Sequence, residues 1–471
     1  MLEVIFSNAK PKENMVRVIA MKEGEPSAIN FLDEEEADLV QKAIGQSGFE
    51  GKFKEHIVVY GGFEKIVLFG LGKNNGDLDI IKAGECLFDI LQKDEFAYVA
   101  ADNSKTAINL AFGVLQGSYS FDKYKTEKKL EEFTKLEQIE LCVENPEEVN
   151  EVFKSYLALV NGIRYCKDLC NEPPSYLTPE VFAADIKRLE YLGLDVEILD
   201  MEQIKLRGLG LVEAVGKSSV NLPYVVVIKW CGDRVKKEFD LGLVGKGVCF
   251  DAGGVSLKSN SGMNEMKTDM SGAAAVVAAM KVAALRRVRK NIVAVVGLAE
   301  NMLGANAMKI GDIYTSYEGK TVEITNADAE GRLIVADCLA YLQKNYGADK
   351  IVDMVTIAPI KKLLGSEYAA VFSNDEDLAV SLLKAGENSG EKLWRLPENE
   401  KEFRSIASEV ADVKNASSKE KNVFASICFL AGFVENNQKW AHIDMNNVRA
   451  DDKGLAKGFG VKLLTEYIGS L

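Results

Sequence analysis

Residues 241–258 read LGLVGKGVCFDAGGVSLK, an apolar run that ends in a glycine-rich stretch holding Asp251 between Lys246 and Lys258. A second near-continuous apolar run, NIVAVVGLAE, covers 291–300. Runs of this kind are typical of parallel strands that are buried on both faces of a sheet. Loops at the carboxyl ends of such strands commonly form functional sites, so the polar residues that follow residue 250 are the first candidates.

Strand-like runs alternate with helical patterns on both sides of this stretch, which favours an α/β fold. Before it, strands are predicted at 2–6, 15–21, 56–60, 65–72, 96–102 and 139–145. Further along, helices are predicted at 179–192, 272–287 and 333–345, and strands at 194–200, 223–230, 241–250, 291–300 and 350–358.

One long helix is predicted between the two alternations. Asn145-Pro146-Glu147-Glu148 marks its start, because Asn suits a cap, Pro the first position and acids the first turn, and the helix covers 146–170. We therefore expect a smaller N-terminal α/β domain, 1–150, and a larger C-terminal α/β/α domain, 151–471. The larger domain should contain a mixed, mostly parallel sheet.

The composition is that of a folded protein with two or three domains: of 471 residues, 47% are hydrophobic and 27% are charged. The 57 Lys and Arg against 71 Asp and Glu give a net charge of −14, which disfavours binding to nucleic acid and to anionic lipid. The eight cysteines form no CxxC pair, and the start of the chain does not resemble a signal peptide. We expect a cytoplasmic protein with reduced thiols and no membrane partner.

Three segments carry candidate functional residues, and each also has a purely structural explanation. In 245–258 the alternative is a tight turn with solvated charges, while a phosphate-binding loop is disfavoured because the GxxxxGK[ST] spacing is absent. Asp269 precedes a run of small residues, where a helix cap or first-turn acid is the alternative. Asp328, Glu330 and Arg332 would share one side of an extended loop, or they form a charged cluster at a helix start.

Together these segments offer four carboxylates and three cations at strand-to-helix junctions: Asp251, Asp269, Asp328, Glu330, Lys246, Lys258 and Arg332. If the carboxylates converge, their mutual repulsion would be offset by two divalent cations. Oxygen ligands without histidine suit Mn²⁺ and Mg²⁺, and Zn²⁺ also accepts Asp and Glu. The two histidines, His56 and His442, lie in no ligand pattern, so we expect structural roles for both.

The motifs of the chain resemble those of the leucyl aminopeptidases, also called cytosol aminopeptidases, which are two-metal exopeptidases. The resemblance lies in VGKGVCFDAGGVSLK (244–258), MKTDMSGAAAV (266–276) and NADAEGRL (326–333), in the order and spacing of that family. It extends to DLCNEPPSYLTPE (168–180) and WAHIDM (440–445). It implies a metal-dependent aminopeptidase that hydrolyses N-terminal residues from peptides with a free α-amine, through a water activated by two metals.

Carried over by position, the resemblance makes Asp251 and Glu330 ligands that bridge the two metals. Asp328 would complete the first metal site, and Lys246 with Asp269 would complete the second. The same resemblance implies two divalent ions per subunit, Mn²⁺ or Zn²⁺, with Mg²⁺ and Co²⁺ as further candidates.

Other residues receive roles around the metals from the same resemblance. Lys258 would polarise the scissile carbonyl, and Arg332 would hold a bicarbonate ion that acts as general base. Met266 and Ala358 would line the substrate pocket. The family also implies peptide substrates and a homo-hexamer built as a dimer of trimers.

The sequence departs from the family pattern around the pocket rather than at the ligands. Pro359 and Ile360 replace smaller residues in 356–360, and the segment 442–448 differs from the usual HLDIAGTAW. The segment 417–423 is expected to form a reshaped surface loop or a subunit contact. These changes affect side-chain preference more than metal binding. The alternative function is a non-catalytic relative on the same fold that binds DNA or another partner, although the net charge makes nucleic acid an unfavourable partner.

Overall fold

The computed structural model describes residues 2–12, 14–24, 32, 34–61, 64–127, 134–397, 400–417, 423–435 and 437–471. The chain divides into two compact units, 1–160 and 161–471. The division falls within the helix Pro146–Asn171, which begins with Pro at its first position and Glu147 and Glu148 in its first turn. The boundary predicted near residue 150 lies earlier in the same helix.

The first unit is built on a six-stranded sheet with the order β1-β6-β5-β2-β4-β3. Its strands are β1 (Glu3–Ser7), β2 (Val16–Lys22), β3 (His56–Gly61), β4 (Glu64–Gly72), β5 (Phe96–Ala100) and β6 (Gln138–Cys142). All neighbours are parallel except β3 and β4. Its helices are α1 (Glu34–Ser47), α2 (Asp77–Leu91) and α3 (Ser104–Gly117).

Helices α2 and α3 are in close backbone contact. A Cβ at Gly84 would lie 2.3 Å from the carbonyl oxygen of Leu110, and a Cβ at Gly113 would lie 2.0 Å from that of Ile81. Glycine at both positions therefore allows the two helices to approach more closely than side chains would permit.

The second unit contains most of the elements of the chain. Its helices are α4 (Pro146–Asn171, which spans the division), α5 (Pro179–Arg188), α6 (Met201–Arg207), α7 (Gly210–Gly216), α8 (Ser271–Leu285), α9 (Gly331–Tyr346), α10 (Lys361–Leu364), α11 (Glu376–Ser389), α12 (Val423–Ala431) and α13 (Val461–Ser470). Its strands are β7 (Asp195–Leu199), β8 (Tyr224–Cys231), β9 (Leu241–Asp251), β10 (Asn291–Asn301), β11 (Ile313–Thr315), β12 (Thr321–Glu323), β13 (Lys350–Val355), β14 (Ala369–Ser373), β15 (Leu393–Arg395), β16 (Val413–Lys414) and β17 (Lys439–Asp444).

Eight of these strands form one mixed sheet with the order β15-β14-β17-β13-β9-β10-β8-β7. Its four central strands, β17, β13, β9 and β10, are parallel to one another. Antiparallel pairs occur at β14–β17, β10–β8 and β8–β7. The strands β11, β12 and β16 form a separate small sheet. The strand-like run TVEIT (321–325) coincides with β12, whereas β11, β16 and the pairing of the three strands were not predicted.

Helices α8 and α9 cover opposite faces of the large sheet. A Cβ at Gly245 of β9 would lie 2.6 Å from Cα of Ala273 in α8, whereas a Cβ at Gly242 would lie 2.8 Å from Leu342 in α9. Two residues that are an odd number of positions apart in a strand, such as Gly242 and Gly245, face opposite sides of the sheet. This confirms the predicted α/β/α arrangement of the larger domain.

Two predicted elements end earlier than expected. The strand predicted at 350–358 ends at Val355, because the Thr356 carbonyl accepts a hydrogen bond from Lys246 Nζ and Pro359 has no backbone N–H to donate. The helix predicted at 179–192 ends at Arg188 and continues as a 3-10 turn to Leu192, where Gly193 adopts a φ of 91°.

One described segment, Met263–Leu285, is long and apolar enough by length and composition to cross a membrane. In the fold, however, 89% of the most apolar 18-residue stretch of this segment is buried. The segment consists of α8 and the 3-10 turn before it, and α8 packs on the large sheet. Its hydrophobicity is therefore explained by its place in the core of this unit.

Candidate active site

Polar residues lie at the carboxyl ends of the central parallel strands of the large sheet. Asp251 is the last residue of β9, Asn301 is the last residue of β10, and Thr356 directly follows β13. Because these strands are parallel neighbours, their carboxyl ends meet at one edge. The glycine-rich segment predicted as a site therefore lies beside polar groups from distant parts of the chain.

Lys246 is buried at the centre of this edge. Its Nζ lies 2.7 Å from Asp269 Oδ2 and 3.1 Å from Glu330 Oε1, and it donates a hydrogen bond of 2.7 Å to the Thr356 carbonyl. Burial by itself lowers the pKa of Lys246, but the nearby carboxylates outweigh it and raise that pKa above its usual value. In this arrangement Lys246 is an ammonium ion that neutralises buried carboxylate charge.

A second lysine pairs with the other carboxylates. Lys258 Nζ lies 2.7 Å from Asp251 Oδ2 and also forms an ion pair with Asp328. The other oxygen of Asp251 accepts hydrogen bonds from Gly253 N at 2.9 Å and Asn301 Nδ2 at 2.8 Å. Burial and the charges of neighbouring carboxylates raise the pKa of Asp251 to about 7. The site therefore holds negative charge that its two lysines only partly stabilise.

Asp269 and Glu330 do not cap the helices that follow them. Asp269 Oδ1 accepts a hydrogen bond of 2.7 Å from Thr356 Oγ1, and the residue at the start of α8 is Met270. Glu330 occupies the cap position of α9, but its side chain makes no capping hydrogen bond. The helix-cap alternative for Asp269 is therefore wrong, because its carboxylate bonds to Lys246 and Thr356 instead.

The donor set of this cluster fits divalent cations. One carboxylate oxygen each from Asp251, Asp328 and Glu330 lies within 4.8 Å of the others. Lys246 adjoins this group through Glu330, and Asp269 adjoins Lys246. An amine becomes a metal ligand once it has lost its proton. Four carboxylates with one amine supply the ligands and the charge that a pair of divalent ions requires.

Arg332 lies in the first turn of α9. The prediction that Asp328, Glu330 and Arg332 share one extended loop is therefore wrong for Arg332. Its Nη1 donates to the Asn415 carbonyl at 2.9 Å, and its Nη2 donates to Ser426 Oγ at 2.8 Å. Its Nε is buried without a hydrogen-bond partner. Burial lowers the pKa of Arg332 to about 10, so its guanidinium remains charged at neutral pH.

These residues line a cavity of about 390 Å³. Its wall includes every site residue proposed from the sequence: Lys246, Asp251, Lys258, Met266, Asp269, Asp328, Glu330, Arg332 and Ala358. It also includes Thr356 and Asn446, which belong to the segments 356–360 and 442–448 placed around the pocket, and Ser426 and Arg449, which sequence reasoning did not select. Ser426 and Arg449 were missed because neither lies in a segment with a distinctive local pattern.

The pocket wall around Ala358 is held by a neighbouring strand end. Asp444, the last residue of β17, accepts a hydrogen bond of 2.6 Å from Ala358 N, and Asn446 Nδ2 donates one of 2.8 Å to the Ala358 carbonyl. Both backbone groups of Ala358 are thus bonded, so this part of the wall is firmly placed. Of the predicted surface loop 417–423, residues 418–422 lie outside the described part of the chain.

The α/β/α fold, the carboxylate and lysine cluster, and the cavity at the strand ends are the features of a metal-dependent peptidase. Comparison with known proteins defines the kind of peptidase. The cytosol aminopeptidase family's catalytic-domain model matches residues 164–465, and its N-terminal-domain model matches residues 15–128. The chain belongs to the cytosol aminopeptidase family and is a metallo-aminopeptidase.

Individual relatives match along nearly the whole chain. A probable cytosol aminopeptidase of Brucella anthropi is 35% identical over 99% of this chain and 98% of its own length. One from Phytoplasma mali is 36% identical over 91% of each chain. These matches confirm the family that the sequence motifs indicated.

Solved structures share the same architecture. A tomato leucine aminopeptidase mutant superposes with a TM-score of 0.90 at 29% identity, covering 100% of this chain and 97% of its own. The bottromycin maturation enzyme BotP in complex with Mn superposes with a TM-score of 0.86 at 28% identity, covering 97% of this chain and 99% of its own. The two-domain α/β fold predicted from the sequence is thereby confirmed.

Proposed function

We propose that this aminopeptidase uses two divalent metal ions held by Lys246, Asp251, Asp269, Asp328 and Glu330. The observation that carries the proposal is the clustering of three carboxylate oxygens within 4.8 Å of one another. Asp251 and Glu330 are proposed to bridge the two ions, and Asp328 to complete the first site. Lys246 and Asp269 complete the second, with Lys246 as the neutral amine.

The bound ions would supply the positive charge that acidifies a water molecule and stabilises negative charge on the peptide carbonyl. The chain itself supplies the geometry for this chemistry. Asn301 and Gly253 hold one oxygen of Asp251, and Thr356 holds one oxygen of Asp269, so both carboxylates have a fixed orientation. Fixed ligands of this kind reduce the reorganisation that the reaction requires.

Lys258 is the residue proposed to bind the carbonyl oxygen of the scissile bond. It is less buried than Lys246, with a side-chain exposure of 21% against 3%. Burial lowers the pKa of Lys258, but Asp251 and Glu330 raise it overall, so Lys258 keeps its proton at neutral pH. A charged donor at the cavity surface stabilises the developing oxyanion.

Arg332 is proposed to hold a bicarbonate ion, which would supply a general base for the attacking water. Its guanidinium lines the cavity, and hydrogen bonds to Asn415 and Ser426 keep it in place. The unpartnered Nε supplies a donor in the same region. A small anion beside this arginine would be stabilised by its charge.

The peptide requires a free α-amine in this scheme, because a neutral amine serves as a further metal ligand and an acylated one does not. Met266 and Ala358 are proposed to contact the side chain of the N-terminal residue, since both line the cavity. Mn²⁺ or Zn²⁺ are the proposed ions, with Mg²⁺ and Co²⁺ as alternatives. The Mn complex of BotP supports manganese.

We further propose that the protein is cytoplasmic and assembles as a homo-hexamer, a dimer of trimers. Membership of the cytosol aminopeptidase family supports both proposals. A non-catalytic or DNA-binding role is not favoured, because all proposed ligands line one cavity and the net charge is −14.

The test uses metal-stripped protein resupplied separately with Mn²⁺, Zn²⁺, Co²⁺ or Mg²⁺. Hydrolysis of a panel of aminoacyl p-nitroanilides is measured beside the N-acetyl form of each. Metal-restored cleavage of the free-amine substrates alone is expected. Cleavage of N-acetyl substrates, or full activity without metal, would contradict the proposal.

A further inference from the structure

Arg449 is a buried cation in the wall of the active-site cavity. Its exposure is 8%, and it lines the cavity together with Met266 and Ala358. Its Nε donates a hydrogen bond of 2.7 Å to Thr268 Oγ1, and its Nη1 donates one of 2.9 Å to the Asn446 carbonyl. Since the two bonds hold two edges of the planar guanidinium, the group has a fixed orientation.

Arg449 forms no direct ion pair in the described part of the chain, and its charge acts on Asp269 only at longer range. Lys246 and Lys258 each form ion pairs with two carboxylates, whereas no described carboxylate lies within 4.0 Å of Arg449. Its Nη2 also has no hydrogen-bond partner among the described residues. Arg332 differs, because both of its terminal nitrogens donate hydrogen bonds within the protein. A buried, unpaired guanidinium favours a ligand that supplies negative charge.

The cavity as a whole can accept such a charge. Its lining contains four carboxylates and four cationic side chains, which cancel in the absence of metal. Two divalent ions add four positive charges, so the lining stays positive even when Lys246 is neutral and a bicarbonate is bound. An additional anionic group is therefore electrostatically favourable there.

We propose that Arg449 binds the side-chain carboxylate of an acidic N-terminal residue, so that the enzyme prefers peptides beginning with aspartate or glutamate. This inference rests on the proposed function and specifies its substrate class. Arg449 contacts Thr268, the neighbour of Asp269, so its guanidinium lies beside the proposed metal centre that binds the α-amine. The side chain of the N-terminal residue starts one carbon from that amine, which places its carboxylate within the same cavity as Arg449.

The kinetic test compares the Glu and Gln p-nitroanilides, which differ in charge but hardly in shape. The wild-type enzyme is expected to give a kcat/KM at least about tenfold higher for Glu, the usual magnitude for a charged hydrogen bond. Arg449→Met should bring this ratio close to one, and Arg449→Lys should retain part of it. The control is Lys457→Met, which removes an exposed cation whose backbone N–H donates to the Arg449 carbonyl, and it should keep the wild-type ratio.

These substrates separate the possible sources of the carboxylate. A p-nitroanilide has no C-terminal carboxylate, so a preference for Glu over Gln reports the side chain alone. Cleavage of the Leu and Gln substrates without a preference for Glu would overturn this inference and leave the aminopeptidase function standing. A preference that survives in Arg449→Met would also overturn it, because another cation would then bind the charge.

A binding measurement tests the same inference without turnover. Calorimetry on the metal-loaded protein compares L-glutamate with L-glutamine, in the wild type and in Arg449→Met of verified fold and metal content. Tighter binding of glutamate that is lost in the variant would support the role of Arg449, even if no anilide were cleaved. Equal binding of the two amino acids by the wild type would overturn it.

Discussion

The side chain of Lys246 lies directly against the α-carbon of Gly331. A Cβ at Gly331 would lie 2.3 Å from Lys246 Cε and 2.7 Å from its Nζ. Lys246 cannot easily move aside, because Asp269, Glu330 and the Thr356 carbonyl hold its amine. The glycine at the start of α9 thus provides the space that a buried lysine in the centre of the site requires.

This contact makes Gly331→Ala a test of the position of Lys246 that leaves every proposed ligand in the sequence. The methyl group should displace the amine, and we expect kcat/KM to fall about 10- to 100-fold with weaker metal binding. Metal content and kinetics should be measured together. Gly469→Ala is the matched control, since a Cβ there meets nothing within 4 Å; equal behaviour of the two variants would contradict the prediction.

Glu330→Gln tests the proposed bridging ligand. The amide keeps the size of the side chain but removes the charge that faces Lys246 and the cluster. We expect hydrolysis to fall by more than about 100-fold and the bound metal to decrease. Glu318→Gln, at an exposed position, is the control for the loss of one negative charge. Normal activity with full metal content in Glu330→Gln would show that Glu330 is not a metal ligand.

Lys258→Ala should separate transition-state stabilisation from metal binding. The amine pairs with Asp251 and Asp328 but is not a proposed ligand. We therefore expect kcat to fall about 100-fold or more while metal content stays near the wild-type value. Lys309→Ala, at an exposed position, is the control. An unchanged kcat in Lys258→Ala would exclude Lys258 from the mechanism.

The buried histidine of the large sheet should make folding stability depend on pH. His442 Nδ1 lies 2.7 Å from Asp353 Oδ1. The other carboxylate oxygen of Asp353 accepts a hydrogen bond of 2.7 Å from Trp440 Nε1. Burial opposes the charged form, but the carboxylate of Asp353 outweighs it and raises the pKa of His442. The paired, charged histidine therefore stabilises the folded protein.

The sign of the effect follows from this raised pKa. The stabilisation is complete below the pKa of about 6.5 of an unfolded-state histidine and is lost as pH rises through the higher folded-state value. The stability deficit of His442→Gln should therefore shrink between pH 5.5 and pH 9, measured as urea midpoints of the metal-free protein. His56→Gln, at an exposed position, is the control for replacing a histidine by glutamine. A deficit that grows with pH would contradict the assignment.

Several elements could be predicted because their signals are local. β9 and β10 are continuous apolar runs, and the long helix begins at Asn-Pro-Glu-Glu, so both kinds of element were placed within one or two residues. In the small sheet, β12 coincides with the strand-like run 321–325, whereas β11 and β16 were missed because they have only three and two residues. A strand that short has no periodic pattern.

The strand and helix pattern, the family, and the types of side chain available for the site could all be predicted from the sequence, because local runs and motifs carry this information. Which of these side chains meet depends on contacts between residues that are far apart in the sequence. Lys246 contacts Thr356 across 110 positions, and Arg449 contacts Thr268 across 181. Such pairs form because the strand order of the large sheet places β17, β13 and β9 side by side and parallel, and this order brings their polar ends to one edge. Local patterns do not encode that order, so the unpaired charge of Arg449 became visible only in the folded protein.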